Sequence, residues 1–131
     1  MAIFVNEDKS MWMYEGDTGN IRVAGLPNDI VVRKASFSIF DEETGKIKLE
    51  LFATVVNGIA TFAMTEEKSN TLKEGDYTWA LKLCDNAAED TLVPETKLEN
   101  GVYVAQPAPA FTVRAKRAEG QHINQYNIPL T

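Results

Sequence analysis

Few side chains in this sequence are of a type that does chemistry. The one histidine, His122, lies in a polar stretch without the companions a zinc site needs, so it reads as a solvated imidazole. The one cysteine, Cys84, alternates away from Tyr77, Trp79, Leu81 and Leu83. A catalytic thiolate requires a base beside it, and the sole imidazole is far along the chain, so Cys84 reads as a small half-buried strand residue. The run Asp85-Asn86-Ala87-Ala88-Glu89-Asp90 offers oxygen ligands for Ca²⁺, but it lacks the Asp-x-Asp-x-Asp-Gly spacing of a calcium loop and reads as an acidic connection. Glu42-Glu43 and Glu66-Glu67 are adjacent carboxylates in turns, poorly placed to act as acid and base across one bond. Gly-x-Ser-x-Gly, a Gly-rich phosphate loop and His-Glu-x-x-His are all missing. The residues therefore predict no catalytic site, no cofactor and no metal, and a protein that is not an enzyme.

Binding residues are better represented. Trp12, Tyr14, Trp79, Tyr103 and Tyr126 are of the type that stacks on sugars, which makes a carbohydrate-binding or adhesive module the alternative function. Aromatics serve cores and interfaces more often. Trp79 reads as internal from its position in the alternation, and Trp12 and Tyr14 share a face. Arg114, Lys116 and Arg117 make a short basic patch suited to an acidic face of a neighbouring copy.

The elements that must carry these residues repeat with period two. Ala35, Phe37 and Ile39 share one face opposite Ser36, Ser38 and Phe40. Ile47, Leu49, Leu51, Ala53 and Val55 alternate with Lys48, Glu50, Phe52 and Thr54, and Tyr77, Trp79, Leu81 and Leu83 with Thr78, Ala80, Lys82 and Cys84. Such alternation predicts strands with one face on a core. The candidate strands are about 2–5, 10–14, 19–24, 33–41, 46–56, 59–64, 77–84, 91–93, 102–105 and 110–115. No long segment has a 3.6-residue stripe, and one short helical turn is expected after Thr65, with Glu66 and Glu67 at its start. Asn57-Gly58 predicts a tight turn because both residues tolerate positive φ. Gly45 ends the turn Asp41-Glu42-Glu43-Thr44, Gly25-Leu26-Pro27 makes another, and Asn100-Gly101 predicts a smaller hairpin inside the 85–110 connection. Leu72-Lys73-Glu74-Gly75-Asp76-Tyr77 reads as a corner where a tyrosine hydrogen-bonds back across a glycine turn, with Trp79 buried two residues on.

Many short strands of this spacing predict an all-β sandwich or barrel, of which a sandwich is expected. The Leu72–Tyr77 corner resembles that of immunoglobulin-like domains, which implies an immunoglobulin-like antiparallel β-sandwich with Greek-key connections over residues 1–115, followed by a polar tail or arm over 116–131. The chain has 131 residues, enough for one domain. Its 13 Lys+Arg against 19 Asp+Glu leave a net charge of −6, the wrong sign for a nucleic-acid partner. One cysteine rules out a disulfide-stapled scaffold. A hydrophobic fraction of 44% is that of a folded globular domain. No apolar run approaches the ~18–20 residues that cross a bilayer, and the N-terminus lacks a basic leader. No membrane partner is expected, and synthesis is expected in a cytoplasm.

Glu15-Gly-Asp-Thr-Gly-Asn-Ile-Arg-Val23, Gly25-Leu-Pro27 and Ala35-Ser-Phe-Ser-Ile-Phe-Asp41 resemble the opening of immunoglobulin-like proteins encoded by bacteriophages and prophages. Asn57-Gly-Ile-Ala-Thr-Phe62, Leu72–Tyr77, Asp90-Thr-Leu-Val-Pro94 and Pro109-Ala-Phe-Thr-Val113 continue the pattern over roughly 12–115. The sequence is similar to the N-terminal module of phage baseplate upper proteins and to small stand-alone phage structural proteins. The resemblance implies a non-enzymatic virion component of tail, baseplate or head decoration. Its implied partners are other phage structural proteins and further copies of itself, and it would pass from the cytoplasm into the virion. The chain departs from a baseplate upper protein in lacking the long C-terminal region that binds receptor-binding proteins. The polar tail carries interspersed Ile123, Tyr126, Ile128 and Leu130, as an assembly arm would.

Overall fold

A computed structural model describes residues 3–26, 33–84 and 89–115. The described chain is all-β. Its strands are β1 (Ile3–Val5), β2 (Met11–Tyr14), β3 (Gly19–Val23), β4 (Lys34–Asp41), β5 (Ile47–Thr54), β6 (Ala60–Met64), β7 (Gly75–Cys84), β8 (Glu89–Val93), β9 (Thr96–Glu99), β10 (Val102–Ala105) and β11 (Ala110–Arg114). The one helical turn among the described residues, α1 (Glu66–Ser69), lies where Thr65 predicts it. Thr65 Oγ1 accepts the Lys68 N–H at 3.3 Å, and Glu66 and Glu67 fill the first turn.

Seven strands form one sheet in the order β1-β2-β11-β7-β4-β5, with β8 pairing the C-terminal half of β7. The ladder is antiparallel except where β11 runs parallel to β2. β3 and β6 make a separate antiparallel pair. Its buried Ile21, Phe62 and Met64 join Phe37, Ile39, Leu51, Trp79, Leu81, Leu83, Phe111 and Val113 of the large sheet in one apolar cluster. Phe37 is the centre of that cluster. It stacks on Trp79 at 5.0 Å, and its ring lies 5.7 Å from Phe62 and 6.3 Å from Phe111. Phe37 thus joins β4 to β7 and β11 within the large sheet and to β6 across the core, and the β3–β6 pair covers one face of the large sheet. Asn57 and Gly58 carry the chain between these layers. Both have positive φ, 52° and 75°, and the turn closes with the isolated bridge Val56–Ile59. The strands it joins then part into different sheets, so it is a layer crossing rather than the tip of a long hairpin.

Two expectations from the alternation need correcting. Ile47 was expected on the core side with Leu49 and Leu51, yet it is 54% exposed. The β4–β5 register slips between Ile39, which faces Leu49, and Phe40, which faces Ile47. The extra residue, Lys48, forms a bulge and turns Ile47 to the outer side of the sheet. Ser36 and Ser38, expected on a solvated face, are buried with Ala80. Ser38 Oγ donates to Glu50 Oε2 at 3.1 Å, so the neighbouring β5 side chain lies over this strip of small residues.

Candidate functional site

The segment between β8 and β11 leaves the body of the domain as a two-stranded hairpin. Asn100 and Gly101, at φ 50° and 80°, supply the left-handed pair that a two-residue turn between antiparallel strands requires. The ladder runs Val102–Glu99, Tyr103–Leu98, Val104–Lys97 and Ala105–Thr96. It is extended by the Gln106 N–H donating to Glu95 O at 2.8 Å. At its base Glu95 is ion-paired with Lys9. The Lys9 ammonium, by hydrogen bond and by charge, holds the Glu95 carboxyl below the usual range.

Every residue of β9 and β10 is exposed. Leu98 is 62% accessible, Val102 61% and Tyr103 74%. Alternation puts Leu98 and Tyr103 on one face, with Lys97, Glu99, Val102 and Val104 on the other. Among the described residues no strand pairs with either outer edge, and neither face is covered. An isolated two-stranded hairpin is marginal in water, and a cluster of exposed apolar side chains marks a contact surface. A cleft of about 310 Å³ at the hairpin base is lined by Glu7, Asp8, Lys9, Pro94, Glu95 and Gln106 among others. Within it Lys9 and Glu95 neutralise each other.

The tyrosine corner forms as its motif predicts: the Tyr77 hydroxyl donates to Lys73 O at 2.8 Å. Trp79 is buried, and its Nε1 donates to Lys9 O at 2.9 Å. Burial raises the Tyr77 phenol above its ordinary value, and the negative charges of Asp41 and Glu15 push the same way. A smaller cleft beside it is lined by Asp41, Glu42, Glu43, Glu74 and Asp76. Backbone N–H groups of Thr44 and Glu43 donate to the Asp41 carboxylate and lower its pKa.

Trp12 and Tyr14 do share a face, with ring centres 5.4 Å apart. Phe4 stacks on the Trp12 indole at 4.2 Å from the β1 side, and the Arg114 guanidinium lies 4.0 Å from its centroid on the β11 side. With both flanks of the indole occupied, Trp12 offers no free platform for a sugar, whereas Tyr103 is open on the hairpin. Arg114 of the basic patch is thereby engaged with Trp12. Cys84 ends β7 half-buried, opposite Glu89. Lys116, Arg117, His122, Tyr126, Asp85–Ala88 and the rest of the tail lie outside the described residues. Sequence reading missed β9 and with it Leu98, Lys97 and Glu99. The one signal for them was Asn100-Gly101, which demands a strand on each side. The chain matches no family model and no curated protein.

Proposed function

We propose that the protein is a non-enzymatic structural component of a phage or prophage virion, in the tail, the baseplate or a head decoration. In this reading it is an immunoglobulin-like β-sandwich with Greek-key connections, made in the cytoplasm and incorporated by protein–protein assembly. Its partners are other virion proteins and copies of itself. The observation that carries the assembly reading is the β9–β10 hairpin, which presents Leu98, Tyr103 and Val102 to solvent on two faces. The immunoglobulin-like part rests on the Tyr77–Lys73 corner with Trp79 buried two residues on. The virion setting rests on the sequence resemblance.

Tyr103 also keeps the carbohydrate-binding alternative in view. Its cross-strand neighbour is the apolar Leu98 rather than a polar side chain, a setting better matched to a protein surface. The assembly reading is tested by replacing both residues, L98S with Y103S, in the full chain. Capture of the structural proteins encoded beside it should fall by about tenfold or more, as for loss of apolar anchors at an interface. Unchanged capture by the variant, or no capture by the wild type, would count against the reading.

A further inference from the structure

We propose that β9 pairs with β9 of a second copy of this chain, antiparallel and centred on Leu98, to give a four-stranded sheet β10-β9-β9-β10 across a two-fold axis. This deepens, and rests on, the reading of the hairpin as a contact surface. The first argument is backbone geometry. In a two-residue hairpin the closing pair, Glu99 with Val102, exchanges both backbone hydrogen bonds, and bonded and non-bonded pairs alternate from there. The Gln106 N–H to Glu95 O bond keeps that parity at the far end of the ladder. Lys97 and Glu99 therefore spend their backbone groups on β10, whereas Thr96 and Leu98 aim theirs outward. A two-fold axis at Leu98 satisfies both groups of that residue by exchange with its own copy.

The second argument is charge. With Leu98 opposite Leu98 of the other copy, Lys97 of each copy stands opposite Glu99 of the other. The short sequence Lys97-Leu98-Glu99 is its own antiparallel complement. Opposite charges directly across strands are favourable, and like charges are unfavourable. On the other face the ladder sets the row Tyr103, Leu98, Leu98, Tyr103, so four apolar side chains from two molecules become one continuous strip. Pairing through β10 would instead centre on Tyr103 and set Val102 against Val104, with no charge selection. The opposite charges of Lys97 and Glu99 favour β9.

Sedimentation of the full chain from ten to several hundred micromolar tests this. The wild type should double its mass with concentration. K97E and E99K should each weaken self-association by about tenfold or more, because each sets like charges opposite one another. An equimolar mixture of K97E and E99K should recover the dimer, and so should the K97E/E99K double variant. Both positions, Lys97 and Glu99, are exposed, so the variants keep the fold, with far-UV circular dichroism as the check. A wild type that stays monomeric throughout overturns self-pairing, and so does a dimer indifferent to the charge reversals. Loss in the single variants without recovery in the mixture overturns the Leu98-centred register. Should the wild type stay monomeric while L98S/Y103S still abolishes capture of neighbouring proteins, self-pairing falls and the assembly reading stands.

Discussion

The Tyr77 hydroxyl closes the turn that opens β7, and its bond to Lys73 O is a local one that a single atom can remove. Y77F keeps the ring and deletes the donor, so it should lower the unfolding free energy by about 1 kcal/mol, read from urea denaturation. The same group sets a pH dependence. Its folded pKa lies above the ordinary phenol value, through burial first and then through Asp41 and Glu15. Its contribution is therefore complete below about pH 10 and is lost as pH rises through the folded value. The stability gap between wild type and Y77F should close over that alkaline range; a constant gap would contradict the corner. Asp41 behaves with the opposite sign. Its lowered pKa, from the Thr44 and Glu43 N–H groups, favours the fold above the ordinary carboxylate value and is lost as pH falls through the folded one. Both residues were legible in the sequence because Gly75-Asp76-Tyr77 and Asp41–Gly45 are local motifs whose partners lie within five residues.

Elements were legible to the extent that they have a buried face. β4, β6 and β7 alternate over five to ten residues and lie close to the expected spans. β9, Thr-Lys-Leu-Glu, buries nothing and so carries no alternation to detect. The bulge at Lys48 was equally silent, because one inserted residue leaves composition unchanged while reversing the face of Ile47. The hairpin is held by its turn and base instead of a core, which makes it sensitive to the turn. A Cβ at Gly101 meets nothing within 4 Å, but the residue sits at φ +80°, where a side chain is strained. G101A should cost the hairpin about 1 kcal/mol. Amide exchange should quicken at Val102 and Val104 while the global unfolding midpoint stays put. A fall in the global midpoint would mean that hairpin and body unfold as one unit, against the absence of core contacts from β9 and β10.

At the scale of the molecule, alternation tells which face of a strand is buried but not what is packed on it. Nothing local in Ala60-Thr-Phe62 announces that Phe62 meets Phe37 across two layers, because that contact is made by topology, the β5–β6 crossing at Asn57-Gly58. Two phenylalanines measure the difference. Phe37 is fully buried and touches rings from β6, β7 and β11, so F37A removes the shared centre of both layers. Loss of a buried phenylalanine costs about 3–5 kcal/mol, a large part of the ~5–15 kcal/mol that holds an ordinary domain together. F37A should therefore unfold at much lower urea concentration. Phe52 is equal in hydrophobicity and reads equally well as a strand residue, but it points outward from edge strand β5 and is 65% exposed. F52A should shift stability by no more than about 0.5 kcal/mol. Comparable losses at the two positions would mean that Phe52 too is covered in the folded protein and that the outer face of the large sheet is not free. A small loss at Phe37 would mean that the β3–β6 layer does not close on the sheet as described.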